Sequence, residues 1–189
     1  RMSRRAFLVT SAAAGGGLLV GFYLPQGFGV KAEIANADIF GPNAFVRIGR
    51  DDSVTLVMPQ VEMGQGTYTS MSMLIAEELE VDLAQVTLEA APPDDRLYAN
   101  PLLGFQVTGG STSVPAMWEP LRRAGATARI MLIAAAAADW NVDPMSCRAE
   151  KGWVAHPPTG QRLNYGALVD AAAKLPVPDK VALKDPKDF

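Results

Sequence analysis

Met63-Gly64-Gln65-Gly66 places one amide side chain between two glycines, directly ahead of a helical pattern. Gln65 brings one acceptor oxygen and two N–H donors to a single point. The flanking glycines lack a Cβ, so a bulky ligand can come close to the backbone. Past Gly66, the residues Met71, Leu74, Ile75 and Leu79 recur at helical spacing, which puts them on one face of a helix ending near Glu80. Thr67 or Thr69 is the expected N-cap. A helix start exposes unpaired N–H groups at the positive end of its dipole, which suits an anionic, hydrogen-bonding ligand. A strand-to-helix turn with no ligand would carry the same residues, because short glycine motifs are common.

A second run repeats the design. Thr108-Gly109-Gly110-Ser111-Thr112-Ser113 sets a glycine pair and a hydroxyl cluster before Val114-Pro115, with the proline at the expected first helical position. A long helical pattern follows from Ala116 to Asp139. Two glycine-rich helix starts with amide and hydroxyl groups are better explained by one shared ligand than by two independent turns.

These two runs, with Ala44 to Pro59, Ala76 to Pro93 and Leu97 to Phe105, resemble the molybdenum-binding subunit of the xanthine dehydrogenase family. The branch most similar is that of the isoquinoline 1-oxidoreductase beta subunit and membrane-bound aldehyde dehydrogenases, and the resemblance spans Ser3 to Phe189. It implies a molybdopterin cofactor with molybdenum, in a dinucleotide form. Gln65, Gly64 and Gly66 would approach the metal end of the cofactor, and Gly109, Gly110, Ser111, Thr112 and Ser113 would cradle the pterin or its phosphate. It also implies hydroxylation of an aldehyde or an N-heteroaromatic with water as oxygen donor. Electrons would leave through iron–sulfur clusters on a partner subunit, and a cytochrome c subunit is a further expected partner. The family's glutamate base falls beyond Phe189, so no catalytic residue and no protein metal ligand is assigned to this chain. Glu62, Glu77 and Glu78 are not given that role; Glu77 and Glu78 are expected on an exposed helix face. The chain is therefore read as one part of a larger molybdenum subunit. The alternative is a membrane-tethered, non-catalytic binding or assembly module, in which both glycine runs are plain turns.

Composition agrees with a folded domain. Of 189 residues, 49% are hydrophobic and 20% charged, with net charge −3 and a pI of about 5.2. No basic face is available for nucleic acid. One His and one Cys make a classical zinc site or an iron–sulfur ligand set in this chain an improbable use of the sequence. Cys147 is expected to be a small, buried or half-buried thiol.

Ser3-Arg4-Arg5-Ala6-Phe7-Leu8 matches the twin-arginine export pattern, and no charged residue occurs from Ala6 to Leu24. Residues 1–24 are read as a twin-arginine signal or an uncleaved membrane anchor. Ala35-Asn36-Ala37 resembles a cleavage site, and Gly15-Gly16-Gly17 would let a second helix approach. This places the protein on the periplasmic side of the inner membrane, exported folded.

The expected fold class is α+β: an N-terminal anchor helix, then a mixed sheet with packed helices, forming part of a larger molybdopterin-binding domain. Residues 25–43 read as a connector, 44–174 as the α+β segment and 175–189 as a linker with no fold of its own. Ala44–Ile48 and Ser53–Met58 read as a hairpin around Gly49-Arg50-Asp51-Asp52, and Val86–Ala90 as a strand. Arg96–Val107 has no period, and its Leu102, Leu103 and Phe105 are expected in the core. Trp118 is expected to anchor the core, while Arg122 and Arg123 are expected on a solvated face. Cys147–Glu150 and Trp153–His156 read as a second hairpin turning at Lys151-Gly152, with His156 towards solvent. Asn164 is the expected N-cap of a helix from Tyr165 to Lys174.

Overall fold

The first sheet is built from Ile39–Asn43 (β1), Val46–Gly49 (β2) and Val54–Met58 (β3), each antiparallel to the next. The computed structural model describes residues 39–189; the expected anchor helix, the arginine pair and the rest of the leader lie outside the described residues. Val54, Leu56, Val57 and Met58 are all buried, the near-continuous apolar run expected of a strand covered on both sides. Val86–Ala90 (β4) adds to β3 in parallel, Val54 opposite Val86 and Met58 opposite Ala90, which closes a β–α–β unit around helix Thr67–Leu79 (α1). The stretch read as a connector thus ends in a strand. Asn43 explains why: its side-chain oxygen accepts from Phe45 N and Val46 N to close the β1–β2 turn, and its Nδ2 donates to Ala124 O.

Helix Ser113–Trp140 (α3) runs against α1 and supplies more of the core than any other element. It follows the single-turn helix Asp95–Tyr98 (α2), which interrupts the stretch read as period-free. α3 starts at Ser113, so Pro115 occupies the third helical position and the helix passes through Pro120, which cannot donate to Ala116 O. Met117, Leu121, Ala124, Ala128, Met131, Leu132 and Ala135 are all buried, and each of the larger ones contributes about 1.5–3 kcal/mol. The helices touch at Gly125, where a Cβ would stand 2.4 Å from Ile75 O and 3.1 Å from Leu79 N.

A second sheet, Arg148–Glu150 (β5), Trp153–His156 (β6) and Gln161–Asn164 (β7), forms an antiparallel meander followed by helix Tyr165–Ala172 (α4). The hairpin turns at Lys151-Gly152 as expected; β7 is an addition. Asn164 caps α4 through its side chain, accepting from Ala167 N at 3.2 Å. The two layers are tied by Tyr165 Oη donating to Leu79 O at 2.6 Å and Gly152 N donating to Glu80 O at 2.8 Å.

Several side chains sit contrary to expectation. Glu78, expected on an exposed face, is 0% exposed and receives Arg122 at 2.7 Å and Arg129 at 3.4 Å. Arg122, expected in solvent, is buried, with its guanidinium 5.3 Å from the Trp118 ring and 4.9 Å from the Phe189 ring. Trp118 is correspondingly half-exposed and packs on the arginine rather than in the core. Residues 175–189 contribute only the turn Pro186–Asp188, yet they lie on the α1–α3 pair. Lys184 N donates to the Glu78 carboxylate at 3.2 Å, its Nζ reaches Glu77 at 2.8 Å and Glu80 at 2.5 Å, and Arg122 donates to its carbonyl. Burial opposes the Lys184 charge, but Glu77 and Glu80 outweigh it and hold the ammonium above its ordinary value. His156 is buried rather than solvent-facing, with Nδ1 2.8 Å from Thr159 Oγ1 and its ring 6.3 Å from Trp140. Cys147 is half-buried.

Candidate functional site

The first glycine loop leaves the end of β3 and enters α1. Gly64 (φ 92°) and Gly66 (φ 79°) both occupy the left-handed region that only glycine adopts readily. Gly66 itself is the N-cap, so neither Thr67 nor Thr69 caps the helix, and no cap side chain bonds there. Glu62 takes that work instead. One carboxylate oxygen accepts from Gly64 N at 2.6 Å and Gly66 N at 3.1 Å, and the other accepts from Tyr68 N at 3.0 Å. The Tyr68 amide, with those of Gly66 and Gly64, holds the Glu62 carboxyl below the usual carboxylate range. The helix start expected to be open to an anion therefore already holds one.

Gln65 lies across the same loop. Its Oε1 accepts from Met63 N at 2.5 Å and its Nε2 donates to Val61 O at 2.9 Å. This leaves one N–H and one lone pair of the amide for a ligand.

The second loop precedes α3 and meets the first. Val61 N donates to Thr108 Oγ1 at 2.7 Å, and Gln106 Nε2 donates to Pro59 O at 3.0 Å. Gln106 is held from below by α2: Asp94 N donates to its Oε1 at 3.1 Å and its own N donates to Asp95 Oδ1 at 2.6 Å. Asp94 is in turn engaged by the Arg96 guanidinium, which lowers its carboxyl below the ordinary value. Within the loop, Thr112 Oγ1 accepts from Asn100 Nδ2 at 2.7 Å and donates to Gly109 O at 2.8 Å. Ser113 is buried in the first helical turn, whereas Gly109, Gly110 and Ser111 face outward. Gly110 (φ 61°) and Ser111 (φ 55°) carry the sharp reversal.

The expected residues thus divide by task. Gly64, Gln65, Gly66, Gly109, Gly110 and Ser111 line one exposed double loop, while Thr112 and Ser113 hold its far side. Sequence reasoning passed over Glu62, Gln106, Thr108 and Asn100 as bracing groups. A carboxylate two and four residues ahead of successive glycines is the local signal for Glu62. Gln106 and Asn100 have no such signal, since their partners come from distant segments. Leu102, Leu103 and Phe105, expected in the core, are exposed, as are Val61 and Met63 (70%), so both glycine loops are flanked in sequence by exposed apolar side chains.

A pterin cofactor fits this arrangement. A Cβ on Gly64, Gly66 or Gly109 would meet nothing within 4 Å, and one on Gly110 only Thr112 Cγ2 at 3.6 Å, so the space before the glycines is open. Gln60, 2% exposed between the two bracing contacts, has neither amide atom partnered among the described residues, a polar reserve beside the loops. At α3, Ser113 and Val114 keep N–H groups that no preceding turn satisfies, which suits a phosphate.

Residues 12–188 match the molybdopterin cofactor-binding domain model. The chain belongs to that family. It is 36% identical over 178 residues to the isoquinoline 1-oxidoreductase subunit beta of Brevundimonas diminuta, covering 93% of this chain and 22% of the relative. It is 31% identical over 172 residues to the membrane-bound aldehyde dehydrogenase [pyrroloquinoline-quinone] of Gluconacetobacter polyoxogenes, covering 89% and 21%. Among solved structures, the Cu,Mo-CO dehydrogenase superposes with a TM-score of 0.53 at 20% identity, over 71% of this chain and 18% of that one. Quinoline 2-oxidoreductase from Pseudomonas putida 86 superposes at 0.52 and 20% identity, over 67% and 15%. These two likenesses show the fold. The chain spans about a fifth of the length of the curated relatives it matches. The α+β architecture is the mixed-sheet arrangement expected; the anchor helix lies outside the described residues.

Proposed function

We propose that this chain supplies one wall of the cofactor site in a molybdenum hydroxylase that oxidises aldehydes to carboxylic acids, or N-heteroaromatics, with water as oxygen donor. The observation that supports the reading is the joining of the two glycine loops by Val61–Thr108 and Pro59–Gln106, which holds them side by side. When bound, the molybdenum cofactor supplies the two-electron redox chemistry and an activated water-derived oxygen. The chain's residues bind and orient. Gln65 offers its remaining N–H and lone pair to the cofactor's metal end. Gly64 and Gly66 let the backbone approach. Gly109, Gly110 and Ser111 receive the pterin, and the start of α3, with Thr112 and Ser113, receives the phosphate of a dinucleotide form. The first loop takes no phosphate, because Glu62 already fills it with negative charge.

The same proposal includes the remainder of the molybdenum subunit as the source of the catalytic base, an iron–sulfur subunit as electron acceptor and a cytochrome c subunit downstream. The exposed apolar side chains of Val61, Met63, Leu102, Leu103 and Phe105 are surface that the remaining subunit would cover. Ser3-Arg4-Arg5 and the uncharged run behind it support folded export to the periplasmic side of the inner membrane. Aldehydes are the favoured substrates, because a membrane-held periplasmic enzyme would deliver their electrons directly to a respiratory chain. The test is molybdenum and nucleotide analysis of the assembled complex beside a Gln65→Leu variant. Near-stoichiometric molybdenum with a pterin dinucleotide in the parent, and loss of both in the variant with the fold intact, is the expected result. An assembled complex without molybdenum overturns the reading.

A further inference from the structure

Among the described residues, the side-chain hydrogen bonds of Glu62 all go to one loop, and the proposed function uses only its charge. Its partners are the N–H groups of Gly64, Gly66 and Tyr68. Gln65 binds the intervening positions, accepting from Met63 N and donating to Val61 O. The two side chains therefore interlock: the acid holds the even-numbered amides and the amide side chain holds the odd-numbered backbone. Among the described residues, nothing lies within 4 Å of where a Cβ on either glycine would stand. Glycine has more freedom to leave a positive-φ conformation than any other residue, so hydrogen bonds matter for holding Gly64 and Gly66 there. Ser70 N and Oγ hold the Gly66 carbonyl, both at 3.0 Å, while Glu62 holds the N–H side of both glycines, and charge-assisted bonds to backbone N–H groups are the strong kind.

We infer that Glu62 is a positioning residue, whose carboxylate locks the Val61–Gly66 loop and thereby fixes Gln65 where it meets the cofactor. The inference rests on the cofactor reading above. It assigns Glu62 no contact with cofactor or substrate and no proton transfer. Its negative charge has a second effect: it cancels the positive end of α1, so that the first loop presents the neutral amide of Gln65 rather than an anion trap.

The experiment uses the full molybdenum subunit with its iron–sulfur partner, in four forms: parent, Glu62→Ala, Gln65→Ala and the double variant. Three quantities are read: the rate of molybdenum loss on dialysis, the Mo(V) electron paramagnetic resonance spectrum, and amide exchange at Gly64, Gly66 and Tyr68 in cofactor-free protein. Outer groups that orient ligands typically change affinity by about 10–100-fold. Glu62→Ala should therefore accelerate molybdenum loss by about that factor, shift the Mo(V) spectrum in the same direction as Gln65→Ala, and raise exchange at the three amides. Because Glu62 acts through Gln65, the double variant should lose molybdenum no faster than Gln65→Ala alone. Multiplying effects would overturn the inference, as would parent-like retention in Glu62→Ala when Gln65→Ala loses the metal. If Glu62→Ala does not fold, Glu62→Gln carries the same comparison, since it keeps the size and one acceptor oxygen without the charge. Absence of molybdenum from the parent complex overturns the cofactor reading and this inference together. Retention in both parent and Gln65→Ala overturns the inference and the assignment of Gln65 to the metal end, and leaves the cofactor reading standing.

Discussion

Glu78 holds a carboxylate with no exposed surface between Arg122, Arg129 and the Lys184 backbone N–H. Such a group contributes little over an apolar side chain while its partners remain, but removing one side strands the other charge. Glu78→Ala should destabilise the protein by about 3–5 kcal/mol, read as a lower urea midpoint with an unchanged slope. Tyr98 is buried against Phe45, ring centroids 5.7 Å apart, and donates to Ala44 O at 3.1 Å. Burial pushes its hydroxyl up to about 12. The unfolded tyrosine ionises near 10, about its reference value, whereas the native one stays neutral. Its contribution is therefore complete below about 10 and is lost as pH rises towards 12. Denaturation midpoints should fall over that window, and Tyr98→Phe should flatten the fall while costing about 0.5–1.5 kcal/mol at neutral pH.

Among elements, the α1–α3 contact decides the geometry of the site, because both glycine loops feed those two helices. Gly125 sets the spacing. A methyl group there meets Ile75 O at 2.4 Å, a backbone atom that cannot rotate away. Gly125→Ala should cost about 1–3 kcal/mol despite the better helix propensity of alanine, measurable by chemical denaturation. Apolar periodicity made both helices legible, and the spacing of turn residues made the hairpins legible. The start of α3 was displaced because Pro115 was read as the first helical residue, when Ser113 and Val114 precede it. β7 was passed over because Gln161–Asn164 is polar and becomes a strand only by pairing with β6.

For the whole molecule, the segment from Lys184 to Phe189 closes over the helix pair, with Phe189 on Arg122 and the Lys184 ammonium between Glu77 and Glu80. The site itself is open and flanked in sequence by exposed apolar side chains, so a bound cofactor should stabilise the assembled protein by mass action. Removing the cofactor from the full subunit should lower its thermal midpoint, and adding back the extracted cofactor should restore it.

From the sequence alone came the α+β class, the helices, the first hairpin and the two glycine loops, because periodicity and glycine spacing are local properties. The family could be named from those same loops, since their order and flanks are written in the chain. Tertiary structure alone decided which charged side chains are buried. Glu78 and Arg122 lie on ordinary helical positions, and only the approach of α1 to α3 under the C-terminal segment turns them inward. It also decided that the loops meet, through Thr108 and Gln106, whose partners lie some forty to fifty residues away. Finally, it showed the first helix start to be filled by Glu62, a matter of where one carboxylate folds back and not of residue type.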